Sequence, residues 1–299
     1  MNILVLGGTR FFGKRLVARL IEEGHDVTLL TRGQTPDPFE NSVTRLKCLR
    51  SDEEGMRRCL KDKRFDVVYD NICFSPDDAA ITCGIFGQAD VGRYIFISSM
   101  YVYRGHEKML TEDDFNPADH DIRRGSRDVM SYEEGKRAAE VYFTKRADFP
   151  VVSVRFPIVM GQDDYTSRFA HYVSRIMLGD NIYLPRPQGR MNFINAQDAA
   201  EFLAWLKDQA YCGPINAASR QSFNTAELVE KFAKALGKKA RTVTNPKESD
   251  ETLYPYHRPD NMVMDVSKAA GLGYQFPDFD DWFPQEVAAV KEKFLVRQS

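Results

Sequence analysis

Tyr132 and Lys136 stand four residues apart in the run Ser131-Tyr132-Glu133-Glu134-Gly135-Lys136. On a helix that spacing sets a phenol and an ammonium on one face. A nearby cation favours the ionised form of its neighbour, so Lys136 can lower the pKa of Tyr132 toward working pH. A phenol tuned in this way exchanges a proton with an alcohol or a carbonyl oxygen. The spacing is common, and alone it equally describes a surface helix with a solvated lysine. Its weight comes from a second motif, the turn Gly7-Gly8-Thr9-Arg10-Phe11-Phe12-Gly13 that follows the apolar run Ile3 to Leu6. Gly7 can supply a tight turn, and Gly13 can let a helix approach the strand closely. The helix N-terminus then faces an anionic group, where free N–H groups and the dipole favour a pyrophosphate. Gly7, Gly8, Thr9, Arg10, Phe11, Phe12 and Gly13 are therefore candidate dinucleotide-binding residues. A plain tight turn between strand and helix is the alternative.

The same stretch has a decoy reading. Gly8 to Lys14 matches the first seven positions of the phosphate loop of P-loop nucleotide hydrolases. The eighth must be Ser or Thr to hold Mg²⁺, and here it is Arg15. Phe11 and Phe12 are also bulky for a loop that wraps phosphates through its backbone. The dinucleotide reading is preferred. The next strand ends Leu29-Leu30-Thr31-Arg32-Gly33, with no carboxylate for a ribose 2′-hydroxyl. Arg32 suits a 2′-phosphate instead, with Arg10 on the same side, so NADP(H) is favoured over NAD(H). A solvated turn arginine is the plainer reading of Arg32. After a third strand, Ser51 and Asp52 offer a carboxylate that could meet an adenine amino group.

These residues need elements to hold them. Short apolar runs at Ile3–Leu6, Val27–Leu30, Asp66–Tyr69, Tyr94–Ile97 and Val151–Val154 read as buried parallel strands. A helical pattern at Phe12–Glu23 carries Leu16, Val17, Leu20 and Ile21 on one face and stops at Gly24. Strands alternating with helices predict right-handed βαβ units, an α/β fold with a doubly wound parallel sheet of the Rossmann type. From about Gly161 the pattern changes to helical stretches near 166–178, 197–208, 225–236 and 283–295, mixed with short strands. That predicts a dinucleotide-binding domain over 1–160, with 192–215 returning to it, and a smaller C-terminal α/β substrate domain over 161–191 and 216–299.

Composition narrows the function classes. The 299 residues carry a formal net charge of -2, which gives no general pull toward nucleic acid or anionic membranes. No apolar run reaches the length of a membrane span. The start Met1-Asn2-Ile3-Leu4-Val5-Leu6 lacks a basic leader and reads as a first strand. Five cysteines, an odd number without a Cys-x-x-Cys pair, predict neither disulfides nor zinc and fit a reducing cytoplasm. The five histidines show no metal-ligand spacing, so no metal is expected.

With these pieces in place, the chain resembles the extended branch of the short-chain dehydrogenase/reductase superfamily, the NAD-dependent epimerase/dehydratase family. The resemblance runs through the glycine loop, Phe96-Ile97-Ser98-Ser99-Met100-Tyr101-Val102-Tyr103, Tyr132-x-x-x-Lys136, Arg155-Phe156-Pro157-Ile158-Val159-Met160-Gly161, Phe193-Ile194-Asn195-Ala196-Gln197-Asp198, and Arg258-Pro259-Asp260 leading to Asp265-Val266-Ser267-Lys268. It implies a catalytic trio in which Ser99 hydrogen-bonds the substrate oxygen, Tyr132 exchanges its proton, and Lys136 binds the nicotinamide ribose while holding the Tyr132 pKa down. Ser98, Phe156 and Pro157 join the cofactor site by the same resemblance. The implied reaction is hydride transfer at a carbinol or carbonyl carbon. Relatives also imply a homodimer through a helix pair that includes the Tyr-x-x-x-Lys helix.

The departures restrict the substrate. Arg10 replaces the family's middle glycine. Dehydratases of sugar nucleotides carry an Asp-Glu pair directly after the catalytic Ser or Thr, and here Met100 and Tyr101 stand there. Pro157 and Met191 replace an Asn and an Arg of the epimerases, with Arg190 one residue off. Arg258 matches an arginine that grips a nucleotide diphosphate. The stretch Gly161-Gln162-Asp163-Asp164-Tyr165-Thr166-Ser167-Arg168-Phe169 resembles a subgroup of chloroplast stem-loop-binding and bacterial reductase-like proteins. Arg168, Arg190 and Arg258 are the candidate substrate residues, for a small molecule such as a nucleotide sugar. A non-catalytic RNA-binding or scaffold protein on the same fold is the alternative, disfavoured by the charge and the intact trio.

Overall fold

The computed structural model describes residues 1–244 and 254–296. Their elements run β1 (Asn2–Leu6), α1 (Phe11–Glu22), β2 (Asp26–Thr31), β3 (Thr44–Lys47), α2 (Glu53–Leu60), β4 (Phe65–Asp70), α3 (Pro76–Ile85), β5 (Val91–Ser99), α4 (Tyr132–Arg146), β6 (Val151–Phe156), β7 (Ile158–Met160), α5 (Arg168–Leu178), β8 (Asn181–Tyr183), β9 (Met191–Asn195), α6 (Ala196–Leu206), β10 (Gly213–Asn216), β11 (Ser222–Phe223), α7 (Thr225–Leu236), β12 (Arg241–Val243), α8 (Ser267–Gly271) and α9 (Phe279–Val296). They fall into two compact units. One comprises Met1–Tyr103, Thr111–Phe156 and Ala199–Ala217; the other Arg104–Leu110, Pro157–Asp198 and Ala218–Ser299. The chain changes unit at Phe156/Pro157, ahead of the expected 160/161, because β7 pairs with β9 in a separate sheet.

The first unit is a seven-stranded sheet in the order β10-β6-β5-β4-β1-β2-β3, with every pairing parallel. Alternation along the strands explains its two covered faces. Leu4, Leu6, Leu30, Val68, Tyr94 and Phe96 share a core with Met56 and Leu60 of α2, Ala79 and Ile81 of α3, and Ala139 and Phe143 of α4. On the opposite face α1 lies so close that a Cβ on Gly8 would stand 3.0 Å from each of Val5, Leu29 and Val17. There the Tyr69 hydroxyl donates to the Leu203 carbonyl of α6 at 3.0 Å. The doubly wound α/β fold read from the sequence is the fold observed. Strand order reverses between β1 and β4, which opens a crevice at their carboxyl ends.

A buried ion pair ties the far half of this unit together. Arg155 on β6 and Glu140 on α4 are both fully buried. The guanidinium donates from Nε and Nη2 to the Glu140 carboxylate at 3.0 and 2.6 Å. It donates from Nη1 to the Tyr103 hydroxyl at 2.8 Å and the Glu112 carbonyl at 3.0 Å, and from Nη2 to the Phe115 carbonyl at 2.8 Å. All five guanidinium N–H groups are thereby used. Ser98 donates to Glu140 from β5, and Tyr103 donates onward to Asn216 of β10 at 2.6 Å.

The second unit pairs β11 antiparallel and β7 parallel to β9, and β12 parallel to β8. Its helices α5, α7 and α9 meet through rings, with Phe169 and Phe283 each within 4.9 Å of Phe232.

Removing one partner of a buried charge pair strands the other in a low-dielectric interior. Glu140→Gln is therefore expected to lower unfolding stability by about 3–5 kcal/mol, measured by urea denaturation. The double variant Glu140→Met/Arg155→Met should lose less than the sum of its two single variants.

Candidate active site

The crevice at the carboxyl ends of β1 and β4 collects most of the residues singled out in the first unit. Gly7 takes a φ of +73°, and a Cβ there would lie 2.7 Å from Ile72. Its N–H donates to Leu30 at 3.0 Å and its carbonyl accepts from the Asn71 side chain at 3.1 Å. A Cβ on Gly13 would stand 3.2 Å from the Gly8 Cα, so the two glycines set how tightly α1 meets the turn. Phe11 holds a φ of 49° with its ring buried, and the Phe12 ring lies 5.7 Å from that of Phe156. Arg10 occupies the N-cap of α1 in extended conformation without a side-chain cap, and the first turn holds no acid. This is a cradle shaped for an anion: close-packed glycines leading into a helix N-terminus. Thr9 lies between them in the same turn.

Arg32 is exposed at the end of β2, followed by Gly33 at φ +70°. The Asp52 carboxylate accepts from the Gly55 N–H through Oδ1 at 3.0 Å and caps α2. Ser51 is exposed beside it.

Ser99 ends β5, and its hydroxyl accepts from the Tyr101 N–H at 3.3 Å, which caps a single 3-10 turn at Met100–Val102. Ser98 faces the other way, as successive strand residues must. Its hydroxyl is spent on Glu140, so the side chain belongs to the buried ion pair and not to the cofactor cradle.

Tyr132 opens α4, capped by Ser131 in a reciprocal box with Glu134, and is 45% exposed. Lys136, one turn on, is buried at 1% exposure. Its Nζ donates to the Cys73 and Ile97 carbonyls, both at 2.6 Å, and lies 5.8 Å from the Tyr132 ring. An ammonium has three N–H donors, so these bonds leave one for a further acceptor. Lys136 thus reaches β5 at Ile97, two residues before Ser99, and the Tyr101 ring stands edge-on to Tyr132 at 5.9 Å. Burial draws the Lys136 pKa down to about 8, while Cys73, Asp70, Asp78 and Glu140 pull the other way.

Several contributors gave no sequence signal of their own. Gly135 touches the backbone after β4, where a Cβ would collide with the Phe74 carbonyl oxygen. That contact brings Lys136 within reach of Cys73. Arg50 is buried after β3 and donates to Asp70 at 2.8 Å, to the Asp78 carbonyl at 3.0 Å and to Thr82 at 2.5 Å. Asp70 also accepts from Tyr94 at 2.5 Å and from the Ile72 N–H at 3.1 Å, which fixes the start of the 71–75 turn.

The remaining candidates lie in the second unit, which takes up the chain again at Pro157. Arg168 donates to Thr166 at 2.7 Å, sits 3.5 Å from the Asp164 carboxylate and covers the Tyr256 ring at 5.9 Å. Arg190 donates to Glu227 at 2.7 Å and the Ser222 carbonyl at 2.6 Å. Glu227 is the capping-box partner of Asn224, so Arg190 anchors the start of α7. Arg258 is partly buried, and its carbonyl accepts from the Gly189 N–H at 2.8 Å. Among the described residues no group of three or more His, Cys, Asp or Glu could hold a metal, and no helix is long and apolar enough to cross a membrane.

Gly135→Ala is expected to push α4 off the 73–75 turn. Overpacking of this kind costs typically about 1–3 kcal/mol, measurable by thermal or urea unfolding. The Lys136 Nζ should lose its two carbonyl partners, which a crystal structure of the variant would reveal.

Comparison with known proteins follows the same outline. Residues 3–74 match the model of the NAD dependent epimerase/dehydratase family. The chain is 27% identical to the chloroplast stem-loop binding protein of 41 kDa b of Arabidopsis thaliana, over 93% of this chain and 76% of that protein. It is 26% identical to 2'-dehydrokanamycin reductase of Streptomyces kanamyceticus, over 83% of this chain and 70% of that protein. The solved UDP-glucose 4-epimerase of Thermus thermophilus, in complex with NAD, superposes with a TM-score of 0.73 at 18% identity, covering 97% of this chain and 99% of that one.

Proposed function

We propose that this chain, a member of the NAD dependent epimerase/dehydratase family, is an NAD(P)-dependent oxidoreductase or epimerase that acts at a carbinol or carbonyl carbon through Ser99, Tyr132 and Lys136. One observation carries the reading: a desolvated ammonium, Lys136, held by two carbonyls one helical turn from an exposed phenol, with the Ser99 hydroxyl at the end of the neighbouring strand. A nicotinamide dinucleotide, when bound, supplies or removes the hydride. Gly7 to Gly13 would hold its pyrophosphate, and the remaining Lys136 N–H would hold a ribose hydroxyl. Ser99 would orient the substrate oxygen by donating to it. Tyr132 would give that oxygen a proton in reduction and take it back in oxidation. The positive charge of Lys136 favours the phenolate that this exchange requires.

NADP(H) is the preferred cofactor in this reading, since Arg32 is exposed where a 2′-phosphate would lie and the strand end offers no carboxylate. The substrate is a small molecule. A nucleotide sugar is favoured by the activity named for the Thermus epimerase, and a carbonyl of natural-product type by the reductase relative. Arg168 and Arg258 are the second-unit cations proposed to meet it. The name of the Arabidopsis relative, a stem-loop binding protein, favours a non-catalytic nucleic-acid-binding or scaffold role as a second reading. The net charge of -2 opposes it, and a salt-dependent shift with a structured RNA would support it.

Titration of NADPH and NADH against intrinsic fluorescence tests the cofactor assignment. Both should bind, NADPH more tightly, and no binding of either at millimolar concentration overturns the assignment. Arg32→Ala should weaken NADPH about tenfold, roughly 1.4 kcal/mol, while leaving NADH nearly unchanged. Tyr132→Phe should cut turnover by about 10²–10⁴-fold with cofactor affinity retained.

The pH dependence follows from Lys136. Its ammonium form is full below about 8 and is lost as pH rises through that value. Turnover limited by this cation should therefore fall on the alkaline side of about 8. Folding stability moves the other way. Between about 8 and the ordinary 10.5 the unfolded chain holds a proton that the folded one has released, so this group makes stability rise with pH across that window.

A further inference from the structure

We propose that Phe74 is a positioning residue of this site: its ring walls the Lys136 ammonium off from solvent and sets the plane of the Tyr132 ring. The proposal rests on the Ser99-Tyr132-Lys136 reading for its catalytic meaning, and on geometry alone for its physical content.

Phe74 lies in the turn between β4 and α3, and three contacts converge on its ring. The Lys136 Nζ stands 4.7 Å from the centre of its ring. The Tyr132 ring lies 6.3 Å away, tilted by 48°. The Arg127 guanidinium, from the exposed loop before α4, covers the ring at 4.5 Å. The Phe74 backbone is fixed as well. Its N–H donates to the Asp78 carboxylate at 2.9 Å, and its carbonyl is the group that Gly135 packs against. The ring is therefore anchored from below by α3 and α4 and stands between a buried cation and an exposed one.

Lys136 feels this arrangement directly. It also meets the Phe96 ring at 5.0 Å, the Tyr132 ring at 5.8 Å and the two carbonyls. The charged and titratable groups that act on it are Cys73 and Asp70 at the end of β4, Asp78 on α3 and Glu140 on its own helix, with Arg127 beyond the ring. Asp70 is already paired with Arg50, and Glu140 with Arg155. Desolvation is then the largest influence on the ammonium, and Phe74 is the side chain that bars water on the side of Tyr132. A cation also sits favourably over an aromatic face, so the ring holds Lys136 in place where a methyl or isobutyl group would only fill space, while the water it excludes has the larger effect on the charge.

The test reads Lys136 directly. Protein labelled with ¹³C at the lysine ε-carbon is titrated by NMR, with the Lys136 resonance assigned by its loss in Lys136→Arg. In Phe74→Ala, water reaches the ammonium and the midpoint should rise by at least about one pH unit toward that of a free lysine. Phe74→Leu keeps the apolar bulk without the ring, and should give a smaller rise with Tyr132 less ordered, seen as a lower kcat at unchanged KM for the cofactor. Phe74→Tyr, which restores a ring, should return the midpoint to its original value. An unchanged midpoint in Phe74→Ala, or in Phe74→Leu where the alanine variant does not fold, overturns the proposal. Because the titration needs neither cofactor nor substrate, failure of the enzymatic reading would appear separately, as wild-type protein that binds no dinucleotide.

Discussion

The Arg155–Glu140 pair is the interaction on which the rest of the first unit depends. Burying two charges is costly, and such a pair survives only when the leftover hydrogen-bonding capacity is spent. Here it is: each guanidinium N–H has its acceptor, and Glu140 takes the Ser98 hydroxyl as well. The bonds reach β5, β6, α4, the 3-10 turn at Glu112–Asp114 and, through Tyr103 and Asn216, β10. Helix α4 cannot slide along the sheet without breaking several of them. Its axial position is thereby fixed, and with it the height of Tyr132 and Lys136 above the strand ends.

A second polar network does the same for the opposite wall. Arg50, Asp70, Tyr94 and Thr82 bind one another beneath the end of β4 and the start of α3. The turn that follows, Asn71 to Ser75, carries the carbonyl of Cys73 and the ring of Phe74. Lys136 bridges the two walls by donating to Cys73 on one and to Ile97 on the other. An apolar core could fill the same volume. It would not specify orientation as sharply, since hydrophobic contact is non-directional while these bonds are not.

Much of this was legible in the chain before any coordinates. Short β-branched and leucine-rich runs marked β1, β2, β4, β5 and β6, because strands buried on both faces tolerate little else. The glycine turn announced the crevice, since a close helix approach has few other solutions. Helical spacing set Tyr132 and Lys136 on one face of a helix, and α4 carries both. What was not legible depends on contacts distant in sequence. Gly135 gave no signal, and its contact with the Phe74 carbonyl joins residues sixty-one apart. Ser98 and Asp52 are chemically apt for a cofactor, yet a buried carboxylate claims one and a helix N-terminus the other. Arg190 is a candidate substrate residue by type, and Glu227 thirty-seven residues on holds it. Residue type tells what a side chain can do, and its tertiary partners decide whether it remains available.

The residues after Ser99 narrow the chemistry further. Met100 is fully buried and carries no exchangeable proton. Tyr101 offers its ring edge-on to Tyr132. A site that expels hydroxide needs an acid placed against the leaving oxygen, and these two positions supply a thioether and a phenol packed into aromatic contact. In the proposed reading, one phenol, one hydroxyl and one ammonium suffice for exchange between an alcohol and a carbonyl. They do not suffice for elimination by the acid-assisted route, so this reading favours hydride transfer with a single proton in step.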